Sequence, residues 1–227
     1  MKEITPIPAS EASRLTRTDK GHETRKQLLS AAARVFAQLG FADTTVNHIT
    51  KEAKVSRPAF YLYFASKQEV FAEVVALVRD EFIAVHENPD VDESDPVALA
   101  SAASRAFLVV RAANHGLLSV IEHQAIYDVQ IAEMWAEIQL RPMRRVARYV
   151  RRLSAEGVAH PPASPDVVAR AVVGIFTQFG AHAPEDPQDF DDLVKQLTAI
   201  FLRLLGIPGP QVSGQSNAPR GDGGTHD

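Results

Sequence analysis

Three sets of residues in this chain have types and spacings that bear on chemistry. In the segment 24–71, Thr45–Ala53 and Ser56–Tyr63 form two short stretches that each open on a hydroxyl residue and are separated only by Lys54-Val55. Hydroxyl residues cap helix N-termini, so the pattern predicts short helix, tight turn, short helix. The aromatics Phe60, Tyr61, Tyr63 and Phe64 hold the second helix against its neighbours while its other face meets solvent. Such a unit lays its second helix in the DNA major groove, with capping hydroxyls and cations at the rim touching phosphates. The second set, Arg141, Arg144, Arg145, Arg148, Arg151 and Arg152, puts six guanidiniums on adjacent stripes of one helix. A run of this kind pairs with neighbouring carboxylates, or part of it receives an anionic ligand group. The third, His115, Glu122, His123 and His182, has metal-binding residue types at spacings that match no ligand pattern. No metal and no other cofactor is expected.

Other chemistries are missing from the sequence. There is no cysteine, hence no disulfide, thiolate ligand or cysteine nucleophile. No G-x-S-x-G, P-loop or H-E-x-x-H occurs, and the glycine cluster Gly221-Asp222-Gly223-Gly224 stands in a tail of Gly, Pro, Ser and Asp. The chain does not read as an enzyme.

The elements that must position these residues are helices throughout. Leu28, Ala32, Val35, Phe36 and Leu39 recur at three- and four-residue spacing and predict an amphipathic helix from Thr24 that ends near Gly40. Val70, Val74, Leu77, Val78, Phe82 and Val85 predict a linker helix from Lys67. Asp95-Pro96, Ser164-Pro165 and Asp186-Pro187 each put proline at a first helical position after an oxygen-bearing cap. A further helix runs over Tyr127–Leu153, where Pro142 removes a donor to the Ile138 carbonyl and is expected to kink or split it. The last two helices, 165–181 and 187–205, are apolar over much of their circumference, more than one subunit would cover. The fold class is therefore all-α.

At 45% apolar and 23% charged residues the composition is that of a globular chain, which excludes disordered and fibrous classes. No apolar run reaches the roughly 18 residues of a spanning helix, and the first 20 residues lack a signal-peptide hydrophobic stretch. The expectation is a cytoplasmic protein without a membrane partner. Charge is divided unevenly: residues 1–67 hold 11 Lys and Arg against 6 Asp and Glu, whereas the rest is acidic. A basic head on an acidic body suggests that the head meets a polyanion. The expected organisation is a disordered arm over 1–20, a DNA-binding domain over 21–66, a ligand-binding and dimerisation domain over 67–206 and a disordered tail over 207–227.

The residues of the head resemble the TetR family of bacterial transcriptional regulators. The resemblance is carried by A-Q-L-G-F at the end of the first helix, T-V-x-x-I-T-x-x-A, V-S-R-P-A-F-Y-L-Y-F, and S-K-Q-E-V-F at the start of the linker helix. One position departs from the pattern, Lys54 standing where the family's turn usually has glycine. The resemblance implies that Val46, Asn47, Arg57 and Ala59 face the groove, where Arg57 can bind guanine and Asn47 can pair with adenine or reach a phosphate. It also places Thr45, Ser56, Tyr61, Tyr63 and Lys67 at phosphate-contacting positions.

For the acidic body the resemblance implies a homodimer through helices 165–181 and 187–205 and a pocket for a small-molecule effector. Phe107, Val110, Asn114, Leu118, Trp135, Ile138, Phe176 and Phe179 are the expected pocket residues, bulky apolar surface with one amide. The resulting reading is a repressor that binds a palindromic double-stranded DNA operator as a homodimer and is released by a small, mostly apolar molecule. The alternative is a helical small-molecule carrier or interaction module without DNA binding.

Overall fold

A computed structural model describes residues 9–87 and 95–207, and among these every regular element is an α-helix: α1 Ala9–Asp43, α2 Val46–Glu52, α3 Arg57–Tyr61, α4 Lys67–Glu87, α5 Pro96–Ala113, α6 His115–Gln124, α7 Val129–Ala155, α8 Pro165–Gly180 and α9 Pro187–Leu204. Helix α1 starts at Ala9, well before Thr24, so residues 9–20 are helical where a disordered arm over 1–20 is expected. Polar composition does not prevent this: between Pro8 and Gly21 nothing breaks a helix, and extension of a helix already formed avoids the cost of nucleation. Gly40, at φ 75°, interrupts α1 near its end and turns Phe41 toward the core.

Helices α1, α2 and α3 form a small head whose interior is Leu28, Phe36, Ile49, Phe60 and Phe64, all essentially inaccessible. Helix α4 belongs to both parts. Ser66 caps its first turn, its hydroxyl accepting from the Glu69 N–H at 3.1 Å, while the Glu69 carboxylate accepts from the Ala65 N–H. Its first half sets Phe71 edge-on to Phe36 with ring centroids 4.8 Å apart, and its second half sets Phe82 edge-on to Phe107 of α5 at 6.0 Å. One apolar core consequently runs from Leu28 to Ile207. The body packs α7 between α4 and α8, and α5 against α4, α8 and α9. Contact between head and body is completed by α6 on α1, where a side chain at Gly116 would stand 3.4 Å from the Ala37 carbonyl.

Three further expectations change. Helix α7 is continuous through Pro142 and is not split; the ring is buried among its neighbours, whose packing compensates the lost backbone bond. Helix α5 is long and apolar enough by composition to cross a membrane, contrary to the reading that no stretch reaches that length, but Leu99, Ala100, Phe107, Leu108 and Val110 are buried in the protein. The tail does not begin at 207, because Ile207 is buried. The Gly206 and Ile207 N–H groups donate to the Arg203 and Leu202 carbonyls at 3.0 and 2.9 Å, the two bonds of a Schellman cap with Gly206 at φ 71°. The expectations for residues 1–8 and 208–227 lie outside the described residues.

Candidate nucleic-acid interface and effector cavity

The helix-turn-helix is built as its residues dictate. The Thr45 hydroxyl accepts from the His48 N–H at 3.2 Å and the Ser56 hydroxyl from the Ala59 N–H at 3.3 Å, so both short helices are capped by their own first hydroxyl. Between them, the Lys54 and Val55 N–H groups donate to the Lys51 and Thr50 carbonyls at 3.2 and 3.0 Å, a second Schellman cap. That cap needs a left-handed residue at position 54, and Lys54 takes φ 55°, the one positive φ outside glycine among the described residues. A lysine side chain is strained there, so Lys54→Gly is expected to raise stability by about 1 kcal/mol. A denaturant midpoint that falls or stays unchanged in this variant contradicts the strain.

Of the expected DNA-facing residues, Thr45, Asn47, Ser56, Arg57 and Tyr61 are exposed, and Val46, Ala59, Tyr63 and Lys67 are half-buried. Arg57 and Tyr61 act as a pair one helical turn apart. The guanidinium stands 5.9 Å from the Tyr61 ring centroid and reaches the Tyr61 hydroxyl at 3.5 Å, which directs both into solvent from one face of α3. Val46 and Tyr63 pack against the core. Lys67 is committed elsewhere: its ammonium donates to the Phe41 carbonyl at 2.7 Å and the Ala42 carbonyl at 3.2 Å, and lies 4.4 Å from the Phe41 ring centroid. It therefore ties the first turn of α4 to the end of α1, whatever it also does with a phosphate. Arg34 pairs with Glu52 at 2.8 Å and Arg25 with Glu73, fixing α1 to α2 and to α4.

The body contains a cavity of about 100 Å³ between α5, α7, α8 and α9. Ala100, Ala103, Ser104 and Phe107 line it from α5 and Pro142, Arg145, Val146 and Tyr149 from α7, each set at the three- and four-residue spacing that shares one helix face. Phe107 and Phe176, both expected in the pocket, are in the lining and lie edge-on at 6.3 Å. The other six are placed elsewhere. Val110, Leu118 and Ile138 are core, and Trp135 is half-buried against that core. Asn114 bridges α4 and α5, its amide donating to Glu81 at 3.1 Å and to the Val110 carbonyl at 3.0 Å, and Phe179 is exposed.

Of the polar part of the lining, Arg145 belongs to the arginine run singled out in the sequence, whereas Ser104 and Tyr149 went unrecognised. Ser104 is buried and its hydroxyl makes no hydrogen bond. Tyr149, whose hydroxyl donates to the Pro96 carbonyl over a long 3.4 Å, has its phenol pushed above the ordinary tyrosine range, chiefly by burial, so it stays neutral. The signal available was a serine inside the alanine-rich stripe of α5, facing a tyrosine in the arginine-rich helix. Among those arginines, Arg151 pairs with Asp166 at 2.8 Å and Arg152 lies 5.5 Å from the Tyr149 ring centroid. His115 and His182, remote in sequence, bring their rings to 5.8 Å, and no cluster of three metal-ligating residues forms among the described residues.

Head and body together define a helical protein with a helix-turn-helix at one end and a cavity at the other. Residues 28–74 match the family model described as bacterial regulatory proteins, tetR family. Over 56 residues the chain is 52% identical to YdgC of Bacillus subtilis, an uncharacterized HTH-type transcriptional regulator, a stretch covering 25% of this chain and 29% of YdgC. It is 38% identical over 55 residues to the HTH-type transcriptional regulator AcrR of Shigella flexneri, covering 24% of this chain and 26% of AcrR. The chain thus matches less than a third of the length of these curated relatives. The ketosteroid transcriptional regulator KstR2 of Mycobacterium tuberculosis superposes with a TM-score of 0.66 at 21% identity, over 82% of this chain and 95% of that one. A tetR-family regulatory protein from Rhodococcus RHA1 gives 0.65 at 17% identity, over 81% and 97%. The TetR-family resemblance read from the sequence is thereby shown, through the DNA-binding segment, and the all-α fold with it; the family is one of DNA-binding regulators, not of enzymes.

Proposed function

We propose that this protein is a ligand-responsive transcriptional repressor that binds a palindromic operator as a homodimer and releases it when a small, mostly apolar molecule enters the body. The observation that carries the reading is the exposed Arg57–Tyr61 pair on α3, held outward on a head whose opposite side is sealed in the core. The domain division at residues 66 and 67 is proposed with it, as are the remaining groove and phosphate positions. Dimerisation is supported by what α8 and α9 leave uncovered: Val167, Phe179 and Ile200 are 58, 47 and 42% exposed. Along α8 the outer stripe continues through Ala171 and Gly174, and nothing stands within 4 Å of the position a Gly174 side chain would take, so a partner helix can approach closely. A two-fold protein reads a two-fold site, with half-sites about one helical turn apart, roughly 34–36 Å.

Selection of DNA fragments by the purified protein, with sedimentation of the free protein, tests this reading. A site without dyad symmetry, or a monomer, overturns it. Two variants then separate base reading from support. Arg57→Ala is expected to cost about 1–3 kcal/mol on the selected site and to relax preference at one base pair, with little loss on random DNA. Lys67→Ala removes two charge-assisted bonds to the end of α1, so it is expected to weaken binding to all sequences and to lower stability by about 1.5–3 kcal/mol. Equal losses on specific and random DNA for Arg57→Ala would show that it reads no base.

A further inference from the structure

The buried polar side chains show where the cavity is unfinished. Four are buried among the described residues: Thr44, Thr50, Ser104 and Thr198. Three of them donate to a backbone carbonyl of their own segment, Thr44 to Gly40 at 2.6 Å, Thr50 to Asn47 at 3.2 Å and Thr198 to Val194 at 2.7 Å. A hydroxyl inside a helix has that option by default, through the carbonyl four residues earlier. Ser104, in the middle of α5, does not use it, and its Oγ has no partner although the residue is only 4% exposed. Ser104 also lines the cavity. A buried hydroxyl without a bond costs stability, and a group of the right chemistry inside the cavity would remove that cost.

The remaining lining decides the chemistry of that group. Leu99, Phe107, Val146, Val172, Phe176 and Phe201 give it apolar walls. Its second hydroxyl, on Tyr149, is neutral and only weakly held by Pro96. Arg145, the cation of the lining, already interacts within the chain. An ionised ligand would surrender its hydration to walls that return little of it. We propose that the cavity binds a small uncharged molecule with an apolar body and a single hydroxyl or carbonyl group, which pairs with the Ser104 hydroxyl. An apolar cavity of about 150 Å³ holds benzene, so this smaller one takes an occupant smaller than benzene, of about four or five non-hydrogen atoms. The inference rests on the reading of the cavity as the effector site, but its test does not require DNA.

The probes are 1-propanol, 1-butanol and 1-pentanol, with n-pentane as the apolar match of 1-butanol and propanoate as the charged one, titrated into the full chain by calorimetry or NMR. Affinity is expected to rise about fourfold per added methylene until the cavity is full, from about 0.8 kcal/mol each. 1-Butanol should bind more tightly than n-pentane, and propanoate more weakly than 1-butanol. Ser104→Ala should weaken the alkanols about tenfold, leave n-pentane unchanged, and raise the melting temperature of the free protein, an effect opposite to that of removing a bonded core hydroxyl. Propanoate binding ahead of 1-butanol, equal binding of 1-butanol and n-pentane, or unchanged alkanol affinity in Ser104→Ala would each overturn the proposal. If the alkanols bind through Ser104 while DNA affinity stays constant, the ligand class stands and the regulatory reading fails. If DNA is read specifically but no alkanol binds, the ligand class alone falls.

Discussion

Phe36→Ala is expected to destabilise the protein by about 3–5 kcal/mol and to abolish DNA binding with every residue proposed to face the groove still in place. Phe36 is wholly buried, with Phe41 stacked on it at 5.8 Å and Phe71 edge-on at 4.8 Å. The three rings join the end of α1 to the first turns of α4, so the void left by truncation opens at the seam between head and linker. Helix α3 has five residues and no stability of its own; Phe60 and Phe64 hold it on the interior that Phe36 belongs to. Loosening that interior lets the Arg57–Tyr61 pair wander, and a bidentate contact to a base does not survive misplacement of that size. Denaturant unfolding and DNA retention on the same preparation measure the two effects. A variant that melts within about 1 kcal/mol of the parent, or that still retains the selected DNA at the parental affinity, contradicts the role given to the aromatic seam.

What the sequence disclosed and what it hid differ by the range of the interactions involved. The Asp95, Ser164 and Asp186 starts were legible because proline acts within a few residues: α5, α8 and α9 begin at Pro96, Pro165 and Pro187, with Asp95 and Asp186 capping their helices although the Ser164 hydroxyl makes no cap bond. The Lys54 turn was legible for the same reason, since its departure from glycine names the one residue that must bear a left-handed backbone. Helix α6 went unread because it follows α5 without a break and Asn114 gives it no side-chain cap. The cavity was hardest. Phe107 and Phe176 were recognised as large apolar residues on central helices, yet Trp135 and Ile138 fit that description equally well. Only the packing of α7 against α4 and α8 decides that the stripe of Pro142, Val146 and Tyr149 faces the void and that Trp135 does not. Lys67 carries the same lesson in the head: its type fits a phosphate contact, while the nearness of the Phe41 and Ala42 carbonyls is a tertiary fact.

That placement makes Phe176→Ala the decisive substitution in the body. Phe176 is buried on α8, edge-on to Phe107 of α5 at 6.3 Å and to Phe201 of α9 at 6.5 Å, and all three rings border the cavity. Truncation removes the middle ring, with an expected loss of about 3–5 kcal/mol, part of which grows with the empty volume left behind at about 24 cal/mol per Å³. The enlarged cavity should then accept a ring of the size removed. Benzene is therefore expected to bind Phe176→Ala and to raise its melting temperature, by mass action on the folded state, while leaving the parent unaffected. Trp135→Ala serves as the contrast, because Trp135 packs on the core outside the lining: it should lose stability without gaining benzene binding. Thermal melts of the three proteins with and without benzene separate the cases. Equal benzene stabilisation of both variants would mean that the two voids are connected, whereas none for Phe176→Ala would mean that α8 collapses onto α5, leaving the cavity no independent existence.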